Sequence, residues 1–164
     1  MAENKKKILT DESKNRLDEL KKTFPQDKSV TLMALHVIYD QLGYLDMKAI
    51  EEAAGYLGMP KVYFEEAATF YTMFPLKPVG KYLIQVCQNI SCTLMGAEEL
   101  VAYLKDKLGI EVGQTTEDKM FTLVLVECLG ACGGAPMMQI NDLYYEHLNR
   151  EKVDKILEDL RNKA

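Results

Sequence analysis

Hydrophobic positions change their period part-way along the chain. From residue 10 to 74 they recur at helical spacing, and from 81 to 148 they shorten into strand-like runs. Leu17, Leu20 and Phe24 form one helical stripe, and Leu32, Leu35, Tyr39 and Leu42 form a second that stops at Gly43. Asp46 is placed to cap a short helix carrying Ile50, Ala54 and Leu57, with Gly58 as its stop. Pro60 suits the first turn of a fourth helix, predicted to run through Val62, Ala67, Phe70, Tyr71 and Phe74. The seam Phe74-Pro75-Leu76-Lys77-Pro78-Val79-Gly80 then stops helical structure, because proline lacks an amide donor and restricts the residue before it. The pattern predicts an N-terminal helical bundle over 1–75 and a second domain over 80–164.

In the second half, Lys81 to Val86 reads as a strand running into Cys87, and Ala97 to Leu108 as a helix. Phe121 to Val126 is a second strand, favoured over helix by its short length and β-branched residues. Met137 to Ile140 and Leu143 to His147 read as a hairpin turning at Asn141-Asp142, before a closing helix over Arg150 to Arg161. The order β-α-β-β-β-α is compatible with a thioredoxin-like layer of sheet and helices.

Composition narrows the function classes. The chain of 164 residues is 48% hydrophobic and 27% charged, values of a globular protein with a real core. Its 20 Lys and Arg against 25 Asp and Glu leave a net charge of -5, which gives no footprint for nucleic acid. No apolar run approaches the roughly 18 residues that cross a bilayer, so no direct membrane insertion is expected. The start, MAENKKKILTDESK, lacks the apolar stretch of a secretion signal and the look of a transit peptide. These features predict a cytoplasmic chain, whose four cysteines in a reducing compartment are ligands or redox groups rather than structural disulfides.

All four cysteines lie in the second half, as Cys87-x4-Cys92 and Cys128-x3-Cys132, with 35 residues between the pairs. Each pair follows a predicted strand. If those strands are neighbours, both pairs emerge at one sheet edge and four sulfurs converge. A [2Fe-2S] cluster needs four thiolates, two for each iron, on loops open enough for backbone N–H groups to face sulfur. Gly96, Gly130, Gly133 and Gly134 supply that openness, and Asn89, Ser91 and Thr93 add polar side chains. Structural zinc prefers C-x2-C knuckles, and a thioredoxin-type dithiol wants C-x-x-C at a helix start; neither spacing occurs here. Unconnected core cysteines are the remaining alternative, against which stands the clustering in two glycine-bearing loops.

The motifs Val86-Cys87-x4-Cys92-x-Leu94-x-Gly96 and Glu127-Cys128-Leu129-Gly130-Ala131-Cys132-x2-Ala135-Pro136 resemble the [2Fe-2S] subunit of the NADH dehydrogenase module. That is the 24-kDa, E-type subunit of respiratory complex I. Ala68-Thr69-Phe70-Tyr71-Thr72-Met73-Phe74 and Gln139-Ile140-Asn141-Asp142 extend the likeness over about residues 25 to 148. The resemblance implies an α+β or α/β chain, a helical bundle followed by a thioredoxin-like [2Fe-2S] ferredoxin domain with Cys87, Cys92, Cys128 and Cys132 as ligands. It also implies a partner, the 51-kDa F-type flavoprotein that holds FMN, binds NADH and carries a [4Fe-4S] cluster. The same pair occurs in NAD-linked hydrogenases and formate dehydrogenases, so the larger host is respiratory or hydrogenase-like. Gly133-Gly134 departs from the family, which usually carries bulkier or polar residues there.

Other residues are less informative. His36 and His147 could suggest Rieske-type ligation, but both sit far from the cysteine loops in sequence and four cysteines complete the set. Phe70, Tyr71 and Phe74 read as core or interface, and Glu65-Glu66 and Glu98-Glu99 as solvated helix faces. Glu127, immediately before Cys128, either adds a repelling charge beside the cluster or points into water. The expectation is a subunit for electron transfer that trades single electrons with FMN on its partner, inactive with NADH alone, at the cytoplasmic face of the membrane through its complex. A free thioredoxin-like ferredoxin and a zinc-stabilised interaction module are the alternatives.

Overall fold

The computed structural model describes residues 8–163. The chain divides into two compact units, with the boundary between Pro78 and Val79.

Among the described residues the first unit contains four α-helices: α1 (Asp11–Thr23), α2 (Thr31–Leu42), α3 (Met47–Leu57) and α4 (Lys61–Phe70), with a 3-10 turn at Asp27–Val30 before α2. Thr10 caps α1 by accepting from Ser13 N–H, and Asp46 caps α3 by accepting from Lys48 and Ala49 N–H. Gly43 and Gly58 end α2 and α3 in the left-handed conformation, φ 75° and 69°. The apolar stripes meet in one core containing Leu17, Leu35, Ile38, Ile50, Leu57 and Phe64.

The fourth helix differs from expectation at both ends. Pro60 stands just outside it in extended conformation, and the helix stops at Phe70 rather than continuing to Phe74. Thr69 Oγ1 turns back to the Glu65 carbonyl, and Pro75 disfavours a helical Phe74. Phe74 instead lies beyond a tight turn, buried edge-on against His36 and Tyr39 with ring centroids 4.9 and 5.9 Å away.

The second unit runs β1 (Tyr82–Cys87), α5 (Ile90–Leu94), α6 (Ala97–Leu108), β2 (Phe121–Val126), β3 (Met138–Ile140), β4 (Leu143–Tyr145) and α7 (Arg150–Asn162). The sheet order is β2-β1-β3-β4, with β1 and β2 parallel and the other neighbours antiparallel. Residues Leu83 to Cys87 are all buried, the mark of a central strand covered on both faces. Leu100, Leu104 and Leu108 of α6 and Val153, Leu157 and Leu160 of α7 complete its core.

Two features depart from the sequence pattern. The α5 turn falls where a loop is expected, with Asn89 Oδ1 accepting from Ile90 N–H at 2.9 Å as its cap. The last strand ends at Tyr145, not His147, because His147 adopts φ 50° and its N–H turns to the Gly134 carbonyl at 2.6 Å.

Candidate metal centre

The parallel pairing of β1 with β2 sets Cys87 opposite Val126, so both strands finish at one end of the sheet. Gln88 N–H continues the ladder to the Val126 carbonyl at 3.0 Å, just before Glu127 and Cys128. Each cysteine pair therefore leaves a strand at the same sheet end. Cys87 is the last residue of β1, Cys92 lies in α5, Cys128 follows β2, and Cys132 opens a 3-10 turn. All four are free; Cys87 and Cys92 are buried, whereas Cys128 and Cys132 are exposed.

The sulfurs are brought together around Cys87. The Asn89 and Leu129 amides and the thiols of Cys92 and Cys128 lie close enough to its sulfur to act on it. Burial pushes the Cys87 thiol up, but these four neighbours outweigh it and hold the thiol below its ordinary value. Cys92 is driven the other way, first by burial and then by its bond with Cys87, with Cys132 close enough to add repulsion. Gly130 N–H points at Cys128 Sγ, 3.4 Å away. Beneath the sulfurs lies a small apolar floor of Ala97, Ala135 and Met137, with Leu129 and Ala131 packed against it.

Such a donor set is soft, and its amides face sulfur, which suits thiolate-bound iron. Among the described residues, no three His, Cys, Asp or Glu side chains converge on a point that would hold one metal ion. A two-iron cluster shares its thiolates two and two, and so makes no such demand. Of the histidines, His36 is in the first unit against Phe74, whereas His147 is exposed and reaches the second cysteine loop through its backbone, its N–H donating to the Gly134 carbonyl at 2.6 Å. The charge near the loops is larger than spacing alone suggests, because the hairpin carries Glu146 against Gly134. Glu127 is exposed and accepts from Gln88 Nε2 at 3.2 Å. Tyr144, also unmarked by any sequence motif, donates to the Leu129 carbonyl at 2.8 Å.

Residues 17–161 match the thioredoxin-like [2Fe-2S] ferredoxin family. The chain belongs to that family. It is 46% identical over 151 residues to the E-type subunit of the NADH-quinone oxidoreductase of Rickettsia conorii, covering 90% of each chain. It is 43% identical over 138 residues to a second E-type NADH-quinone oxidoreductase subunit, from Rhizobium meliloti, covering 84% of this chain and 82% of the relative. The crystal structure of an NAD+-reducing [NiFe]-hydrogenase in the air-oxidized state has TM-score 0.70 and 25% identity over 81% of this chain. This chain spans 23% of that hydrogenase chain. The mixed sheet with helices before and around it accordingly carries the thioredoxin-like α+β fold that the motifs imply.

Proposed function

We propose that the chain is the electron-transfer subunit of an NADH-oxidising complex, with Cys87, Cys92, Cys128 and Cys132 holding one [2Fe-2S] cluster. The observation that carries this reading is the approach of both cysteine pairs at the end of the parallel β1–β2 pair, with the Gly130 N–H turned to the Cys128 sulfur. When bound, the cluster supplies a centre that takes and gives one electron at a time. Cys87 and Cys92 are buried, while the exposed Cys128 and Cys132 leave one side of the site open to a partner. Amides of Asn89, Leu129 and Gly130 stabilise negative charge on sulfur without bringing in a titratable group.

The names of the relatives support membership of a larger assembly. On this reading the immediate partner is the 51-kDa F-type flavoprotein, which carries FMN, the NADH site and a [4Fe-4S] cluster, and the isolated chain has no turnover with NADH. The complex is respiratory and holds the chain at the cytoplasmic face of the membrane; among the described residues no helix is long and apolar enough to cross it. The bundle over 1–75 and the ferredoxin domain over 80–164 act as separate scaffolds. The hydrogenase likeness favours a second host, an NAD-linked hydrogenase or formate dehydrogenase, with the same role for the cysteines.

Iron and acid-labile sulfide analysis, with EPR of the reduced protein, tests the centre. Replacing any one of the four cysteines by Ala should strongly deplete the cluster. Full iron content and an unchanged signal in Cys132→Ala would reject that assignment, and zinc in place of iron would reject the cluster altogether. Co-purification with an untagged flavoprotein, followed by FMN analysis, tests the partner.

A further inference from the structure

One hydrogen-bonded line reaches the cysteine loops from a different strand. The Tyr144 hydroxyl donates to the Leu129 carbonyl at 2.8 Å. That carbonyl shares its peptide plane with the N–H of Gly130, which points at Cys128 Sγ from 3.4 Å. A single peptide unit thus accepts from a phenol at its oxygen and donates to a sulfur at its nitrogen.

The backbone fixes this line in place. Gly130 has φ 74°, the left-handed conformation that turns the chain immediately after this peptide. On the other side, Tyr144 lies opposite Gln139 in the β3–β4 register, so its position is held by the hairpin rather than by the loop. Tyr144 is 51% exposed.

We infer that Tyr144 is a positioning residue that acts through the Leu129–Gly130 peptide on Cys128 and raises the reduction potential of the cluster. The inference rests on the proposed ligand role of Cys128. A hydrogen bond accepted at a peptide oxygen polarises the unit and makes its N–H a stronger donor. Uptake of one electron adds one negative charge to the centre, so an N–H···S bond stabilises the reduced form more than the oxidised form. Strengthening the Gly130 donor therefore favours electron uptake, and removing the Tyr144 hydroxyl opposes it. The phenol is neutral, so its effect does not fade with salt as that of a charged neighbour would.

The test is a redox titration of the full chain with dithionite, followed by visible absorbance and EPR, for the wild type, Tyr144→Phe and Tyr144→3-fluorotyrosine. Loss of the hydroxyl should lower the equilibrium constant for electron uptake about threefold, a downward shift of about 28 mV at 59 mV per tenfold. The fluorinated phenol, a stronger donor of nearly the same shape, should shift the potential upward. A purely structural role for Tyr144 would move both variants the same way or neither. An unchanged potential in Tyr144→Phe, or same-direction shifts, would overturn the inference. Should Tyr144→Phe lose its iron, the fluorotyrosine protein decides alone: an upward shift supports the relay, and any other result rejects it. A wild-type protein that takes up no iron and sulfide removes the ligand reading, and this inference with it; a loaded wild type with an insensitive potential removes only the relay.

Discussion

Glu146 fills the space in which a side chain on Gly134 would begin. A β-carbon at Gly134 would lie 2.5 Å from Glu146 Cδ, 2.6 Å from Cγ and 2.7 Å from Cβ. The first two atoms can swing away, but Cβ is fixed to the backbone of the hairpin. A methyl group at Gly134 must therefore displace the cysteine loop or the strand end. Gly133 has nothing within 4 Å of the equivalent point and no positive φ. Of these two adjacent glycines, only Gly134 is sterically required. Gly134→Ala should cost about 1–3 kcal/mol and reduce iron retention, whereas Gly133→Ala should stay within about 0.5 kcal/mol of wild type. Thermal unfolding with iron analysis of both variants checks the contrast, and Glu146→Gly should restore Gly134→Ala.

The aromatic run at the end of the bundle separates into two roles. Phe74 is 4% exposed and rests on His36 and Tyr39, whereas Phe70 is 75% exposed. Phe74→Ala should cost about 3–5 kcal/mol, and Phe70→Ala less than about 0.5 kcal/mol, as read from denaturant midpoints. If the proposed flavoprotein covers this end of α4, Phe70→Ala also lowers its recovery in co-purification while the fold stays intact.

Asp154 joins α7 to α6 through two hydrogen-bonded partners, Lys107 Nζ at 2.9 Å and the Tyr103 hydroxyl at 2.6 Å. Lys107 and then Tyr103 hold the Asp154 carboxyl below its ordinary range, and the same contacts raise Tyr103 and Lys107 above theirs. Since the folded carboxyl has the lower pKa, its contribution is present above about pH 4 and disappears as pH falls through its depressed value. Tyr103 has the opposite sign: its contribution is intact below about pH 10 and is lost as pH rises through its elevated value. Asp154→Asn should make stability less sensitive to acid, and should return Tyr103 toward an ordinary phenol pKa. Chemical denaturation across pH reads the first effect, and NMR of ring-labelled Tyr103 reads the second.

Glu127 faces water and the Gln88 amide, and an exposed charge is well screened. Glu127→Gln should raise the cluster potential by well under about 59 mV, the equivalent of a tenfold change in electron uptake. The shift should shrink as salt is added, and a lowered potential would contradict the electrostatic role. Titration at two ionic strengths separates this charge effect from that of the neutral Tyr144.

Local chemistry made much of the fold readable. Asp46 announces α3 because its carboxylate satisfies amides within the next three residues, and Gly43 and Gly58 announce helix ends because those positions need positive φ. The cysteine pairs were readable because each follows a strand, and the strands prove to be parallel neighbours. The five-residue α5 was not, since little more than one turn carries no measurable period. Nor was the end of α4, where burial of Phe74 prevails over the helical spacing of the aromatics. Glu146 and Tyr144 reach the site only through the hairpin, and no linear spacing to the cysteines reveals either of them.

The parallel pairing of β1 and β2 also imposes an order of assembly. A nascent chain that ends before Phe121 carries Cys87 and Cys92 but neither of their counterparts. The second pair arrives only after α6 has been made and β2 has docked beside β1, a contact between segments far apart in sequence and correspondingly slow to form. Iron offered before β2 is made meets at most two of the proposed ligands, too few for a four-thiolate centre. On the proposed ligand set, the paired strands β1 and β2 are thus the template on which a cluster is completed.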